Sequence, residues 1–374
     1  MGPERSPTMN ALEAQLDYCL GQATPEPGQT IDVAPGLKWA RMALPFALNH
    51  INVWLLRDEI AGNGGDAPRQ GWTIVDCGIG NDATHASWER IFANDLDGLP
   101  VLRVVVTHMH PDHIGSAHWL CERWGVRLWI SATDFGIARM ASRADAGFGG
   151  PLSAAFMARH GMAADPESVG QVAGRSNYYR SLVPDVPETY RRLLGGMQLD
   201  IGSGAARSPW TCHAGYGHAP EHMALHGDRA GILISGDMVL PRISTNVSVI
   251  EVEPEADSLT LYLDSIERMR TIDPEVLVLP SHGLPFKGLH TRIDQLQAHH
   301  AERFAEVIEA CTPAPQSAFE LVPVIFKRPL DLHQMTFAMG ESIAHCHALW
   351  YAGRLERYVG SDDIIRFATR RAAS

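Results

Sequence analysis

Between residues 45 and 290 the chain alternates short apolar runs with stretches of helical period, and several of the runs end on polar residues. Asn52–Leu56 is one such run. A Gly/Asp-containing loop at 61–67 separates it from Trp72–Asp76, and the two runs predict a pair of hairpin strands ending in Asp76-Cys77-Gly78. Thr84–Asn94 has helical texture. Val101–Val106, all β-branched or apolar apart from Arg103, predicts a buried strand. Ser116–Trp124 returns to the helical period and Val126–Ile130 to a strand. Strand, helix and strand in succession predict an α/β layered domain.

Residues 133–195 break this alternation. They are helix-prone, interrupted at Gly147, Gly149 and Gly150, and carry Met140, Phe148, Phe156, Met157, Met162, Tyr178, Tyr179 and Tyr190. A helical insertion is expected there, with an apolar pocket or lid as its possible use. Strand-like pieces resume at Met197–Ile201, Trp210–Ala214, Ile232–Ser235 and Val276–Leu279, so the second half repeats the texture of the first. Beyond Leu289, Asp294–Glu309 is helical until Pro313 and Pro315 break it. Gln334–Tyr351 is a second helix, stopped at Gly353. Arg354–Val359 and Asp363–Phe367 predict a small ribbon. The expected division is a Pro-rich leader over 1–35, a main α/β domain over 36–290 and a small helical, winged-helix-like domain over 291–374.

Composition narrows this picture. With 374 residues, 45% of them hydrophobic, the chain has ample material for a core. Its net charge of −12 gives no long-range attraction to nucleic acid or an anionic membrane surface. Arg354, Arg357, Arg366, Arg370 and Arg371 make only the extreme C-terminus basic. Neither a secretory leader nor a run of about 18 apolar residues is visible. Cys19, Cys77, Cys121, Cys212, Cys311 and Cys346 are scattered without a CxxC pair. Reduced thiols and a cytoplasmic location are therefore expected. The amphipathic C-terminal helices leave homodimerisation open.

The chemistry concentrates in Thr107-His108-Met109-His110-Pro111-Asp112-His113-Ile114-Gly115. His108, His110, Asp112 and His113 are packed into six positions at the end of a predicted buried strand. Imidazole nitrogen and carboxylate oxygen suit zinc, and also iron or manganese. Strand alternation points His108 and His110 to one side, while Asp112 and His113 sit on the turn into a helix and face a second position. Further candidates fall at later strand ends: His218 in Gly217-His218-Ala219-Pro220-Glu221-His222, Asp237 after Ile234-Ser235-Gly236, and His282 after Pro280-Ser281.

Taken together, these residues resemble the signature of the metallo-β-lactamase superfamily, over roughly residues 45–290. The resemblance implies an αββα sandwich, two sheets face to face with helices outside. It assigns His108, His110 and His218 to one metal ion and Asp112, His113 and His282 to another, with Asp237 bridging. It places Asp76 behind the metal loop. It implies two zinc ions per chain, or iron or manganese, with Asp112 as a catalytic carboxylate. A bridging Asp points to the glyoxalase II, lactonase and ribonuclease Z branches and away from the true β-lactamases; Cys212 does not occupy a ligand slot. The expected substrate is a small acyl thioester, ester or lactone. An endoribonuclease or phosphodiesterase is the alternative, and an iron oxidoreductase a weaker one. Tyr216 and Asn246 are further candidates for substrate contact.

Overall fold

The computed structural model describes residues 10–62, 67–143, 149–175 and 178–370. Gly147, Phe148, Arg371, the first nine residues of the expected leader and 63–66 of the Gly/Asp loop lie outside these described residues. The first sheet runs in sequence order: β1 (Thr30–Ala34), β2 (Leu37–Ala43), β3 (His50–Ile60), β4 (Arg69–Val75), β5 (Val101–Val105), β6 (Leu128–Ser131) and β7 (Tyr190–Leu193). β1 to β4 are antiparallel, whereas β4 to β7 are parallel. Helices α1 (Asp82–Asn94), α3 (Ala117–Trp124) and α4 (Ala132–Ala141) make the parallel crossovers, with the single turn α2 (Pro111–Ile114) ahead of α3. Further helices α5 (Gly150–Arg159), α6 (Pro166–Ala173) and α7 (Tyr178–Leu182) precede β7.

The second sheet has the order β12-β11-β10-β9-β8, with β8 (Gln198–Ile201), β9 (Ser208–Gly215), β10 (His222–Gly227), β11 (Ile232–Gly236) and β12 (Leu277–Pro280). Only β11 and β12 pair in parallel. α8 (Ser258–Arg268), α9 (Leu289–Cys311), α10 (Ala318–Ile325) and α11 (Leu332–Tyr351) follow, and the ribbon β13 (Leu355–Val359) and β14 (Ile365–Thr369) closes the chain.

Period-2 alternation divides the side chains among three layers. In β3, Ile51, Val53 and Leu55 pack outward under Trp88 and Ile91 of α1 and Leu120 of α3. Trp54 and Leu56 face the other way and meet Trp210, Leu225 and Ile234 of the second sheet. Beyond that sheet, Leu233 and Val278 pack against Tyr262 of α8, Ile293 of α9 and Met339 of α11. The expected αββα sandwich and its helical C-terminal region with a small ribbon are what the chain forms.

One expectation needs correcting, and two features of the N-terminal segment stand beside it. The insertion is helical only to Leu182; Tyr190–Leu193 extends the first sheet beside β6, and this four-residue, doubly charged strand has no apolar run to announce it. The leader is part of the fold from residue 10, because Leu16 is buried in the core and Gln295 donates to the carbonyl of Leu12 at 3.1 Å. A boundary at residue 36 falls inside the turn of the β1–β2 hairpin. Among the described residues, no helix is long and apolar enough to cross a membrane.

Candidate metal centre

The C-terminal ends of β4, β5, β9, β11 and β12 lie along one edge of the sandwich and carry the candidate residues. Asp76 follows β4. His108 and His110 follow β5 and lead into α2, where Pro111 takes the first helical position with its pre-set φ. His218 lies between β9 and β10, Asp237 directly follows β11, and His282 lies two residues beyond β12. Gly236 makes the turn that delivers Asp237. Its φ is 54°, and a Cβ there would sit 2.1 Å from the Nε2 of His222, so a side chain is excluded.

The structure gathers the residues into two adjoining groups. Ligand-type atoms of His108, His110, His218 and Asp237 lie within 4.8 Å of one another, and so do those of Asp112, His113 and His282. Nε2 of His108 is 2.9 Å from Nδ1 of His110 and 3.1 Å from Nε2 of His218. In the second group, Oδ2 of Asp112 is 3.3 Å from Nε2 of His282 and 3.6 Å from Nε2 of His113. Asp237 faces both groups. Its Oδ2 lies 3.3 Å from Nε2 of His218, and its Oδ1 lies 3.5 and 3.6 Å from Nε2 of His113 and His282.

The histidines are aimed from behind. Nδ1 of His113 donates to Oδ2 of Asp76 at 2.9 Å. The same carboxylate accepts from the backbone N–H of Thr107 at 2.8 Å and from its hydroxyl. Asp76 does this from a left-handed backbone position, φ 64°. Nδ1 of His218 donates to the carbonyl of Asn246 at 2.7 Å, and Nδ1 of His282 to that of His50 at 2.8 Å. Each of these rings thus turns Nε2 toward the cluster.

Electrostatics separates the groups. Burial first, then the neighbouring histidines, push His108 well below the ordinary imidazole value and His110 down to about 3. Burial works the same way on His282, but Asp237 and Asp112 outweigh it and lift the ring to about 10. Asp76, Asp112 and Asp237 likewise hold His113 well above its usual value against burial. Burial would raise Asp112, yet His113 and His282 bring it down to about 2.

This donor set fits metal cations. Nε2 of His113 and Oδ1 of Asp237 are buried without a hydrogen-bond partner. Orphaned buried groups are costly unless something is bound between them. The mixture of imidazole and carboxylate suits zinc, iron or manganese. Beside His110 and His218 lies a cavity of about 1320 Å³ with mostly apolar walls. Met140, Leu152, Phe156 and Tyr178 line it from α4, α5 and α7, Ile250 from the segment after β11, and Phe337 from α11. Asn246 also lines it. Tyr216 does not; its ring lies under the guanidinium of Arg268 at 5.9 Å. Cys212 is buried between the sheets.

Four supporting residues were not among the sequence-derived candidates. Nε2 of His222 accepts from the backbone N–H of Asp237 at 3.2 Å. Asp134 accepts from the backbone N–H groups of Met109 and Glu221 at 2.8 and 2.7 Å, tying the metal loop to the His218 loop. Tyr179 donates to the carbonyl of Met109. Glu341 of α11 accepts from Asn246. His222 did stand in the quoted His-x-x-x-His spacing; the others act on backbone or on a neighbouring amide, which leaves no spacing to read.

A two-part His/Asp candidate metal site at the shared edge of two stacked sheets points to the class of protein. The family model of the metallo-beta-lactamase superfamily matches residues 49–282, more than half of the chain. A second model, described as the metallo-beta-lactamase-like C-terminal domain, matches residues 304–370. The chain belongs to the metallo-β-lactamase superfamily. It is similar to a beta-lactamase domain protein from Burkholderia ambifaria, at TM-score 0.87 and 52% identity over 96% of this chain and 100% of that one. The metallo-beta-lactamase family protein TTHA1429 from Thermus thermophilus shares the fold, at TM-score 0.72 and 24% identity over 91% of this chain and 100% of that one. The probable metallo-hydrolase YqjP of Bacillus subtilis (strain 168) is 24% identical over 319 residues, which span 83% of this chain and 90% of that protein.

Proposed function

We propose that this protein is a dinuclear metal-dependent hydrolase acting on the thioester or ester-like bond of an apolar acyl substrate, with acyl-CoA, acyl-glutathione and lactones as the chemical candidates. The observation that carries this reading is Asp237, which turns one oxygen to each group of ligands beside an apolar cavity. Two zinc ions held there, or iron or manganese in their place, would supply a water of lowered pKa at neutral pH and a positive field for developing negative charge.

The chain's own residues supply the rest. Oδ2 of Asp112, beside His282 and His113, is placed to take the proton that an attacking water loses and to return it to the leaving thiol or alcohol. The walls from Met140 to Phe337 hold the acyl group and keep bulk water from the reacting bond. Arg175 in the lining offers a charge to a carboxylate or phosphate on the substrate's polar part.

The nuclease reading is weaker because three of the C-terminal arginines pair with acids of this chain. Arg366 pairs with Asp362 at 2.7 Å, Arg357 lies 3.6 Å from Glu255, and Arg370 lies 3.7 Å from Glu356. The decisive experiment is metal analysis of the purified protein followed by assays on octanoyl-CoA, S-octanoylglutathione, an N-acyl lactone, single-stranded RNA and an aryl phosphodiester. We expect two zinc ions per chain and cleavage of a thioester or lactone that ends on dialysis against a chelator. Cleavage of the phosphodiesters alone, or a coloured iron protein that consumes oxygen, would overturn the proposal.

A further inference from the structure

The C-terminal helix α11 supplies no candidate ligand, yet it packs directly on the segment that backs one of them. Residues 245–250 run beside α11 with alternating faces. Val247 and Val249 are buried in the same core as Ala338, Met339 and Ile343 of α11. Asn246, Ser248 and Ile250 line the cavity. The backbone N–H of Val249 donates to the carbonyl of Gly340 at 3.1 Å. A Cβ on Gly340 would come within 2.6 Å of the Ser248 hydroxyl, so the helix and the segment meet at closest approach where α11 has no side chain.

Asn246 is the hub of this contact. Its backbone carbonyl accepts from Nδ1 of His218 at 2.7 Å. Its side-chain amide donates to Oε2 of Glu341 at 3.3 Å, and its side-chain carbonyl accepts from the Ser248 hydroxyl at 2.9 Å. Both ends of the amide are therefore fixed, and so is the peptide that aims His218. Glu341 is itself only 7% exposed, a position where a carboxyl is retained for the hydrogen bond it makes rather than for solvation.

We infer that Glu341 is a positioning residue for the metal centre: through Asn246 it fixes the carbonyl that orients His218, so that α11 sets the affinity of the His108/His110/His218 group for its cation. The C-terminal region is then part of the metal-binding apparatus, acting from outside the ligand set. A ligand's supporting hydrogen bonds fix its tautomer and its direction, and losing one typically costs about 10- to 100-fold in metal affinity.

This inference rests on the dinuclear reading above, and one experiment separates the two. Zinc content and zinc dissociation constants, by competition with a chromophoric chelator, are measured on the full-length protein and on Glu341→Leu, Glu341→Gln and Gly340→Ala, each with its thermal midpoint. The parent alone decides the dinuclear reading: fewer than two zinc ions sinks that reading and the inference with it. Given two, Glu341→Leu leaves the Asn246 side-chain N–H without its carboxylate acceptor and is expected to weaken one zinc ion by about 10- to 100-fold while the other stays within about threefold. Glu341→Gln keeps an acceptor and is expected to restore affinity to within about threefold of the parent. Gly340→Ala, which pushes on Ser248 from the same helix, is expected to weaken that same ion, and it stands as the test if the leucine variant does not fold. Parental affinity for both ions in Glu341→Leu, or equal loss of both with a matching fall in melting temperature, would overturn the inference.

Discussion

The two halves of the candidate metal centre are made of the same residue types, yet their surroundings shift His108 and His110 in the opposite direction to His113 and His282. His108 and His110 sit among other histidines, and burial, then those neighbours, favours the neutral ring. His113 and His282 sit among Asp76, Asp112 and Asp237, and these carboxylates hold them protonated. The first half is ready to accept a cation as it stands. In the second the carboxylates favour the protonated rings, and a cation bound there would displace those protons. The difference comes from where the acids are: one oxygen of Asp237 reaches the first group, whereas Asp76, Asp112 and the other oxygen of Asp237 surround the second. A single short loop serves both because Pro111 starts a helical turn between His110 and Asp112.

Removing the residue common to both halves should have the largest effect. Asp237→Ala is expected to abolish hydrolysis and to lower the metal content below two per chain, with the fold retained in circular dichroism. Undiminished turnover in that variant would refute the bridge. Next in size is Asp76→Ala, which strips His113 of its acceptor and the Thr107 backbone of its anchor. A loss of about 10- to 100-fold in affinity is expected for one metal ion, that of the His113 half, measured by chelator competition. Equal weakening of both ions would show that Asp76 holds the whole loop rather than one ring.

The contrast in protonation predicts a pH dependence of smaller size. Cation binding to the His113/His282 half must release protons, so its affinity should rise by up to about tenfold per pH unit for each proton displaced, through neutral into alkaline pH. The His108/His110 half should change little over the same range. For the metal-free protein the sign is opposite. A raised histidine contributes stability that is fully present below the free imidazole value of about 6.5 and is lost as pH rises through the folded value. For His282 that value is about 10, so the metal-free melting temperature should fall between pH 7 and 10. Asp112, lowered to about 2, contributes above the free carboxylate value of about 3.9 and its share is lost only in strong acid. Two affinities that change in parallel with pH would remove the distinction between the halves.

Most of this centre was legible before the fold was known, because its ligands sit where apolar runs stop. Val101–Val106, Ile232–Ser235 and Val276–Leu279 announce strands, and His108, Asp237 and His282 stand at their exits. What stayed hidden were elements and residues without such a mark. The hairpin β1–β2 was masked by the Pro-rich texture around it, although Leu37 and Trp39 turn out to pack between the sheets. β10 mixes two histidines into its run, and β7 is four residues long. α10 carries Pro323 in its interior, which reads as a break. Asp134 looks like an ordinary helix-start residue beside the N-cap Ser131. Nothing short of the folded contacts shows that its carboxylate joins Met109 to Glu221.

The smallest expected effect tests the cavity against the centre. The walls come from the helices before β7, from the segment after β11 and from α11, regions far apart in sequence, and Phe337 is an aromatic part of the wall on the α11 side. It is 47% exposed, so its truncation should cost little stability. If the cavity holds an acyl chain, Phe337→Ala removes part of the surface on which that chain packs while leaving every candidate ligand in place. The kcat/KM for octanoyl-CoA should then fall about three- to tenfold, and that for acetyl-CoA should change by less than about twofold, since apolar contacts of this size are worth about one to three kcal/mol at most. The ratio of the two, measured on one metal-loaded preparation, isolates the cavity from the centre. An equal fall for both chain lengths would mean that Phe337 supports the metal-binding segments rather than the substrate, and the apolar walls would lose their assigned use.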